Sequence, residues 1–126
     1  MVPTNNDIWL IDSGTSKHII GFKEHLTYLV KKEYRLHVVL GDDARYTVKG
    51  VGSTSLQLDY GTPLHLSDVL FVPGMRQNLV SISSLENKGY KVAFYDGKVL
   101  AWNKNSSMDF SRVIGVREDK LYRLTI

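Results

Sequence analysis

Turn-forming glycines recur along this chain at short, regular intervals, and that spacing constrains the fold more than any other feature. Gly14, Gly21, Gly41, Gly50, Gly52, Gly61, Pro73-Gly74, Gly89 and Asp96-Gly97 separate short runs rich in β-branched and aromatic residues. Short runs closed by turn residues predict a mostly β domain. Ile8-Trp9-Leu10-Ile11 is a continuous apolar run ending in Asp12, the pattern of a strand buried on both faces. Residues 22–29 read as a short helical turn or a loop packed by Phe22, Leu26 and Leu29. Residues 35–40 and 44–48 flank Gly41-Asp42-Asp43 and predict a β-hairpin, since Gly and Asp suit the turn.

Past Gly50-Val51-Gly52, Leu56 and Leu58 alternate with polar residues, the period of a half-buried strand. Leu64 to Val72 follows as another strand, closed by Pro73-Gly74. Asn78 to Lys88 is the best helix candidate: Leu79, Ile82 and Leu85 recur at spacing three, Ser81 or Ser83 can cap, and Gly89 stops it. Residues 90–95 and 98–102 form a second predicted hairpin around Asp96-Gly97. Residues 113–124 predict a terminal strand.

Length and composition bound the rest. The 126 residues suit one domain, and a hydrophobic share of 43% is enough for a real core. Without cysteine there is no disulfide framework and no thiolate metal site, which suits a reducing compartment. The longest apolar runs, such as Val69-Leu70-Phe71-Val72, are too short to span a bilayer, so no membrane partner is expected. The polar start, Met1-Val2-Pro3-Thr4-Asn5-Asn6-Asp7, lacks the basic-then-apolar order of a signal peptide. Net charge is only +3 and the lysines are scattered, so no specific nucleic-acid partner is expected.

Asp12-Ser13-Gly14-Thr15 is the segment that carries chemistry. Aspartic proteolysis needs a carboxylate on a rigid tight turn beside small residues, so that a water and a peptide can approach. Gly14 gives close backbone access. The Ser13 hydroxyl can bond the neighbouring turn, and Thr15 can bond the turn or a substrate. By itself the tripeptide is weak evidence, since average usage supplies one by chance in roughly one chain in fifteen to twenty of this length. It can equally be an ordinary β-turn.

The rest of the chain shifts that balance. Trp9 to His18 in continuous sequence, Leu40-Gly41-Asp42-Asp43 with Val48-Lys49-Gly50-Val51-Gly52, the long block Asp68 to Leu85, and Gly115 to Leu124 appear in that order. Together they resemble the protease region of copia-type LTR retrotransposon polyproteins, plant elements in particular, over nearly the whole length.

The resemblance implies a retropepsin-like closed β-barrel subunit with a flap hairpin and one short helix, acting as a homodimer. It implies an aspartic endopeptidase that cleaves the Gag-Pol polyprotein in the cytoplasm, within virus-like particles, with no cofactor and no metal. Asp12 would be the single catalytic aspartate of each subunit, since no second Asp-Ser/Thr-Gly exists in the chain. Ser13, Gly14 and Thr15 would complete the active-site turn, with Ser13 matching the hydroxyl residue whose bonds reach across the dimer. Leu40, Gly41, Asp42 and Asp43 would form the flap, with Gly50-Val51-Gly52 as an alternative tip. Leu79, Val80 and Ser81 would form the loop behind the catalytic turn, with Ser81 in place of the usual glycine. By the same resemblance residues 1–7 are a polar lead, 8–111 the protease domain, and 112–126 a dimer strand or the start of a pre-integrase junction.

Other chemistries fit less well. His18, His25, His37 and His65 lack the close paired spacing of a zinc site. Ser13 and His18 lack the elbow and the third member of a serine hydrolase. Asp42-Asp43 could hold a cation, but neighbouring carboxylates on a turn are usually just solvated. The competing reading from another class is a catalytically silent retropepsin-like module for dimerisation or binding.

Overall fold

A computed structural model of the chain describes residues 8–31, 37–39, 45–59, 61 and 63–126. Strands dominate, as the turn spacing predicts. They are β1 (Trp9–Asp12), β2 (Ile19–Ile20), β3 (Tyr28–Lys31), β4 (His37–Val39), β5 (Arg45–Thr47), β6 (Gly50–Leu56), β7 (Leu64–Phe71) and β8 (Asn78–Ser81). The helix α1 (Ile82–Asn87) follows, then β9 (Tyr90–Tyr95), β10 (Lys98–Asn103), β11 (Val113–Glu118) and β12 (Leu121–Leu124). A single 3-10 turn, Lys23–His25, precedes β3.

The expected closed barrel does not form. Ten strands make one sheet in the order β3-β6-β7-β2-β8-β1-β12-β11-β10-β9, and among the described residues its ends do not pair with each other. Strands from the two halves of the sheet meet through side chains instead of a backbone ladder. Leu56, Leu64, Leu66 and Val69 from β6 and β7 share one core with Val99, Ala101, Ile114 and Leu124 from β10 to β12. Burying that apolar surface is non-directional, so it curls the sheet without requiring its edges to meet in register. A backbone hydrogen bond from the Asp59 N–H to the Thr125 carbonyl, 2.8 Å, ties the segment after β6 to the segment after β12.

The helix is shorter than periodicity suggests. Residues 78–81 are a strand, in parallel register with β1 on one side and antiparallel to β2 on the other. All four are buried. The spacing of Leu79, Ile82 and Leu85 is real but misleading. Leu79 packs in a second cluster with Ile19, Val48, Val72 and Met75, whereas Ile82 and Leu85 face the main core. Ser81 does cap α1, and Gly89 ends it with a φ of +95°.

The C-terminal stretch is a hairpin and not one strand. Asp119 takes a φ of 57°, a left-handed conformation that Asp tolerates, and β12 folds back on β11. Both strands lie inside the main sheet, with β12 between β11 and β1. The hairpins β4–β5 and β9–β10 form as the sequence predicts. Asp96 and Gly97 both have positive φ (49° and 73°), the turn geometry whose twist suits a two-residue hairpin.

Gly115 is one glycine that the packing demands. A Cβ there would stand 2.6 Å from the Arg123 carbonyl oxygen and 2.6 Å from Ile11 Cδ1. Gly115→Ala must therefore push β12 or β1 aside. We expect a loss of about 1–3 kcal/mol, read as a lower midpoint in urea denaturation.

Candidate functional site

The site is built on β1. Trp9 and Ile11 point into the main core, and Leu10 packs against the second cluster. The strand is thus gripped on both faces up to its last residue, Asp12. There the chain leaves the sheet in a tight turn. Asp12 Oδ1 accepts a hydrogen bond from the Gly14 N–H at 2.7 Å, closing an Asx-type turn. A Cβ at position 14 would lie 3.2 Å from that same oxygen, so only glycine approaches the carboxylate without crowding. Asp12 is half-buried, and Ser13 and Gly14 stand exposed at the tip. The Thr15 hydroxyl donates to the Lys17 carbonyl at 3.0 Å, stiffening the exit from the turn.

Behind the turn lies β8. Its parallel register sets Trp9 beside Asn78, Leu10 beside Leu79, Ile11 beside Val80 and Asp12 beside Ser81. The residues expected to form a loop there, Leu79, Val80 and Ser81, do stand behind the turn, but as a buried strand.

Ser81 is the hub of this region. Its N–H donates to His18 Nδ1 at 2.9 Å, and its hydroxyl donates to the Thr15 carbonyl at 2.7 Å. The same hydroxyl accepts the Ser84 N–H at 3.1 Å, which is the N-cap of α1. Ser84 Oγ donates to the Ser16 carbonyl at 2.9 Å. Asn78 secures the other end of β8: its Oδ1 accepts the Gly21 N–H at 3.1 Å, and its Nδ2 donates to the Ile8 carbonyl at 3.3 Å. Replacing Ser81 by Ala removes the cap and one bond to the turn together. We expect about 1–3 kcal/mol of lost stability, seen in chemical denaturation as a lower midpoint with an unchanged slope.

Sequence reasoning does not single out His18, Ser84 or Asn78 as parts of this site. The available signal is a cluster of hydroxyl and amide residues, Asn78 to Ser84, in a segment that resembles the same family as the Asp12 motif. His18 is 2% exposed. Burial, with Lys17 nearby, holds its imidazole down to about 4 from the ordinary 6.5, against a weaker upward pull from Asp68. Accepting on Nδ1 puts its proton on Nε2, the neutral tautomer.

Between those two values the unfolded chain binds a proton that the folded chain does not. The stability contributed is full above pH 6.5 and is lost as the pH falls towards 4, on the order of 3 kcal/mol.

The expected flap tip, Leu40, Gly41, Asp42 and Asp43, lies outside the described residues, although the arms β4 and β5 pair on either side of it. The alternative tip is ruled out. Gly50-Val51-Gly52 is the start of β6 and is paired with β3 on one edge and β7 on the other. Among the described residues, no group of three or more His, Asp or Glu side chains could hold a metal ion.

The family described as "Pol polyprotein, beta-barrel domain" matches residues 9–90. Three curated relatives are similar over most of the chain. The retrovirus-related Pol polyproteins from transposons RE1 and RE2 of Arabidopsis thaliana are 29% and 28% identical, each over 98% of the chain. That from transposon TNT 1-94 of Nicotiana tabacum is 29% identical over 91%. The chain covers only 8% of the length of each of these relatives. No solved structure matches it.

Proposed function

The chain belongs to the Pol polyprotein beta-barrel domain family, and on that premise we propose that it is one subunit of a homodimeric aspartic endopeptidase that cleaves its own polyprotein. The observation that carries this reading is the setting of Asp12. A half-buried carboxylate ends a strand gripped on both faces, and the tip beyond it, Ser13-Gly14, is open to a second molecule.

Half a catalyst is what such a turn provides, because Asp-Ser/Thr-Gly occurs once in the chain. A closed dimer with a twofold axis brings two identical turns face to face. As in aspartic proteases generally, two carboxylates that close cannot both ionise cheaply, so they share one proton. The ionised Asp12 then takes a proton from a water as it attacks the peptide carbonyl, while its protonated twin hydrogen-bonds the carbonyl oxygen. Gly14 leaves room for the substrate backbone, and Ser13 sits where its hydroxyl can bond the partner turn.

β12 is paired on both edges within its own chain. The dimer contact we propose therefore centres on the Asp12–Thr15 turn and not on a strand drawn from residues 112–126. Residues 40–43 would close over the peptide. Virus-like particles in the cytoplasm are the setting proposed for this cleavage, where tethering concentrates the subunits.

The test is a longer precursor carrying Asp12→Asn. We expect it to remain uncleaved while the wild-type precursor matures. Maturation of the variant would overturn the protease reading and leave a silent dimerisation or binding module in its place.

A further inference from the structure

Ser81 touches the Asp12 turn at two points, and it is itself held from behind by one imidazole. Its Cα is the register partner of Asp12, and its hydroxyl bonds the Thr15 carbonyl. Its backbone N–H, the third point of attachment, ends on His18 Nδ1 at 2.9 Å. His18 is in turn fixed by the sheet, because its own carbonyl accepts the Leu70 N–H of β7 at 2.9 Å. His18 thus links β7, through its backbone carbonyl, to the strand on which the turn leans, through its imidazole.

We propose that His18 is a positioning residue for Asp12, acting through the Ser81 amide as a latch that holds the turn only while the imidazole is neutral. The proposal rests on the protease reading for its consequence, but the latch itself is a property of the folded chain.

Neutral His18 offers a lone pair at Nδ1 to a backbone donor. Protonated, it presents a second donor to that N–H, and the bond becomes a repulsion in a buried site. The charged groups that act on it are Lys17 on its own segment and Asp68 on β7; Lys88 enters as the ion-pair partner of Asp68, and Asp12 as the register partner of Ser81. Lys17 adds to the resistance against a second positive charge. Asp68 is spread between His18 and Lys88, whose ammonium lies 3.6 Å from its carboxylate, and both of that pair's side chains are well exposed. Asp68, exposed and shared with Lys88, therefore offers the protonated ring no buried counter-charge. Once the latch opens, Ser81 loses one of its anchors, and the Thr15 and Asp12 backbone that it supports is released with it.

A protease built this way loses its rate on the acid side for a reason separate from the carboxylate pair. His18→Asn keeps an acceptor oxygen near the Nδ1 position but cannot titrate, so it should preserve the rate near neutral pH. It should also remove the His18-dependent part of the acid loss. His18→Leu removes the acceptor at every pH and should lower the first-order self-processing rate about tenfold or more.

The experiment has two arms. In the first, the 126-residue chain is labelled with nitrogen-15, and the amides of Ser81, Thr15 and Gly14 are followed from neutral pH to about 4. We expect all three to shift with one midpoint well below the ordinary histidine value, and that common transition to vanish in His18→Asn. A His18 that titrates near 6.5, or Thr15 and Gly14 amides that ignore it, would overturn the latch.

In the second arm, self-processing of the precursor is measured over the same pH range for wild type and His18→Asn. An acid loss unchanged in His18→Asn would also overturn it. The two readings fail separately. A precursor that matures despite Asp12→Asn sinks the protease assignment, while the amide titration still decides the latch.

Discussion

At a fixed total chain concentration, replacing half of the wild-type chains by Asp12→Asn chains should leave about a quarter of the original activity, because in the proposed dimer only pairs with two intact carboxylates turn over. A monomeric enzyme would instead keep about half. This is the largest functional effect the site allows. The variant is nearly isosteric, and its side-chain amide oxygen can still accept the Gly14 N–H, so the geometry of the turn survives. What disappears is the group that, in the proposed mechanism, accepts a proton from water. Loss of one general base typically lowers a rate by about 10²–10⁴-fold, so a homodimer lacking both should show no measurable self-processing. The mixing measurement needs chains that exchange partners, which is secured by co-expression. Residual activity near one half would refute the shared site, even if the homodimeric variant is dead.

The largest loss of stability is expected at Trp9. Its ring is 1% exposed, sits in the main core, and packs edge-on against the His25 ring with centroids 6.3 Å apart. Trp9→Ala should cost about 3–5 kcal/mol, since the sheet is held by neighbours on several strands and cannot collapse into the space. For a domain of this size that is a fall of roughly 10–20 °C in Tm, read by calorimetry or circular dichroism.

Trp9→Phe is the informative control. The indole Nε1 is buried with no hydrogen-bond partner among the described residues, so replacing it sacrifices ring volume but no hydrogen bond. We expect Trp9→Phe to retain well over half of the stability that Trp9→Ala loses. Equal losses in the two variants would mean that the indole nitrogen has an acceptor after all. Because β1 leads directly into Asp12, Trp9→Ala should also depress self-processing at temperatures where the chain is still folded.

The elements legible in the sequence are those whose cause is local. Asp96-Gly97 marks a hairpin because a two-residue turn needs positive φ, and both residues take it. The alternation of Leu56 and Leu58 with polar residues marks a strand because side chains in a strand change face at every residue, and β6 runs up to Leu56. The Asp12 turn is legible for the same kind of reason: an apolar run, a carboxylate and a glycine in unbroken sequence.

Residues 78–81 mislead because their spacing suits a helix equally well. Only the neighbouring strands, 57 to 70 residues away in the chain along the bonds of Asn78, decide the matter. The open sheet is illegible for a different reason: edge pairing is a relation between distant parts of the fold, which no short window contains.

By itself, then, the sequence determined a mostly β chain with two hairpins, a capping serine at 81 or 83 and one candidate catalytic carboxylate, since propensity, turn chemistry and capping act over a few residues. Only the tertiary structure decided that the sheet stays open, that β12 is consumed within its own chain, that Ser81 is the cap, and that His18 meets Ser81 behind Asp12. That last contact joins residues 63 positions apart. It exists because burial of the strands on either side leaves the Ser81 N–H no water to bond, and an imidazole is the acceptor the fold supplies.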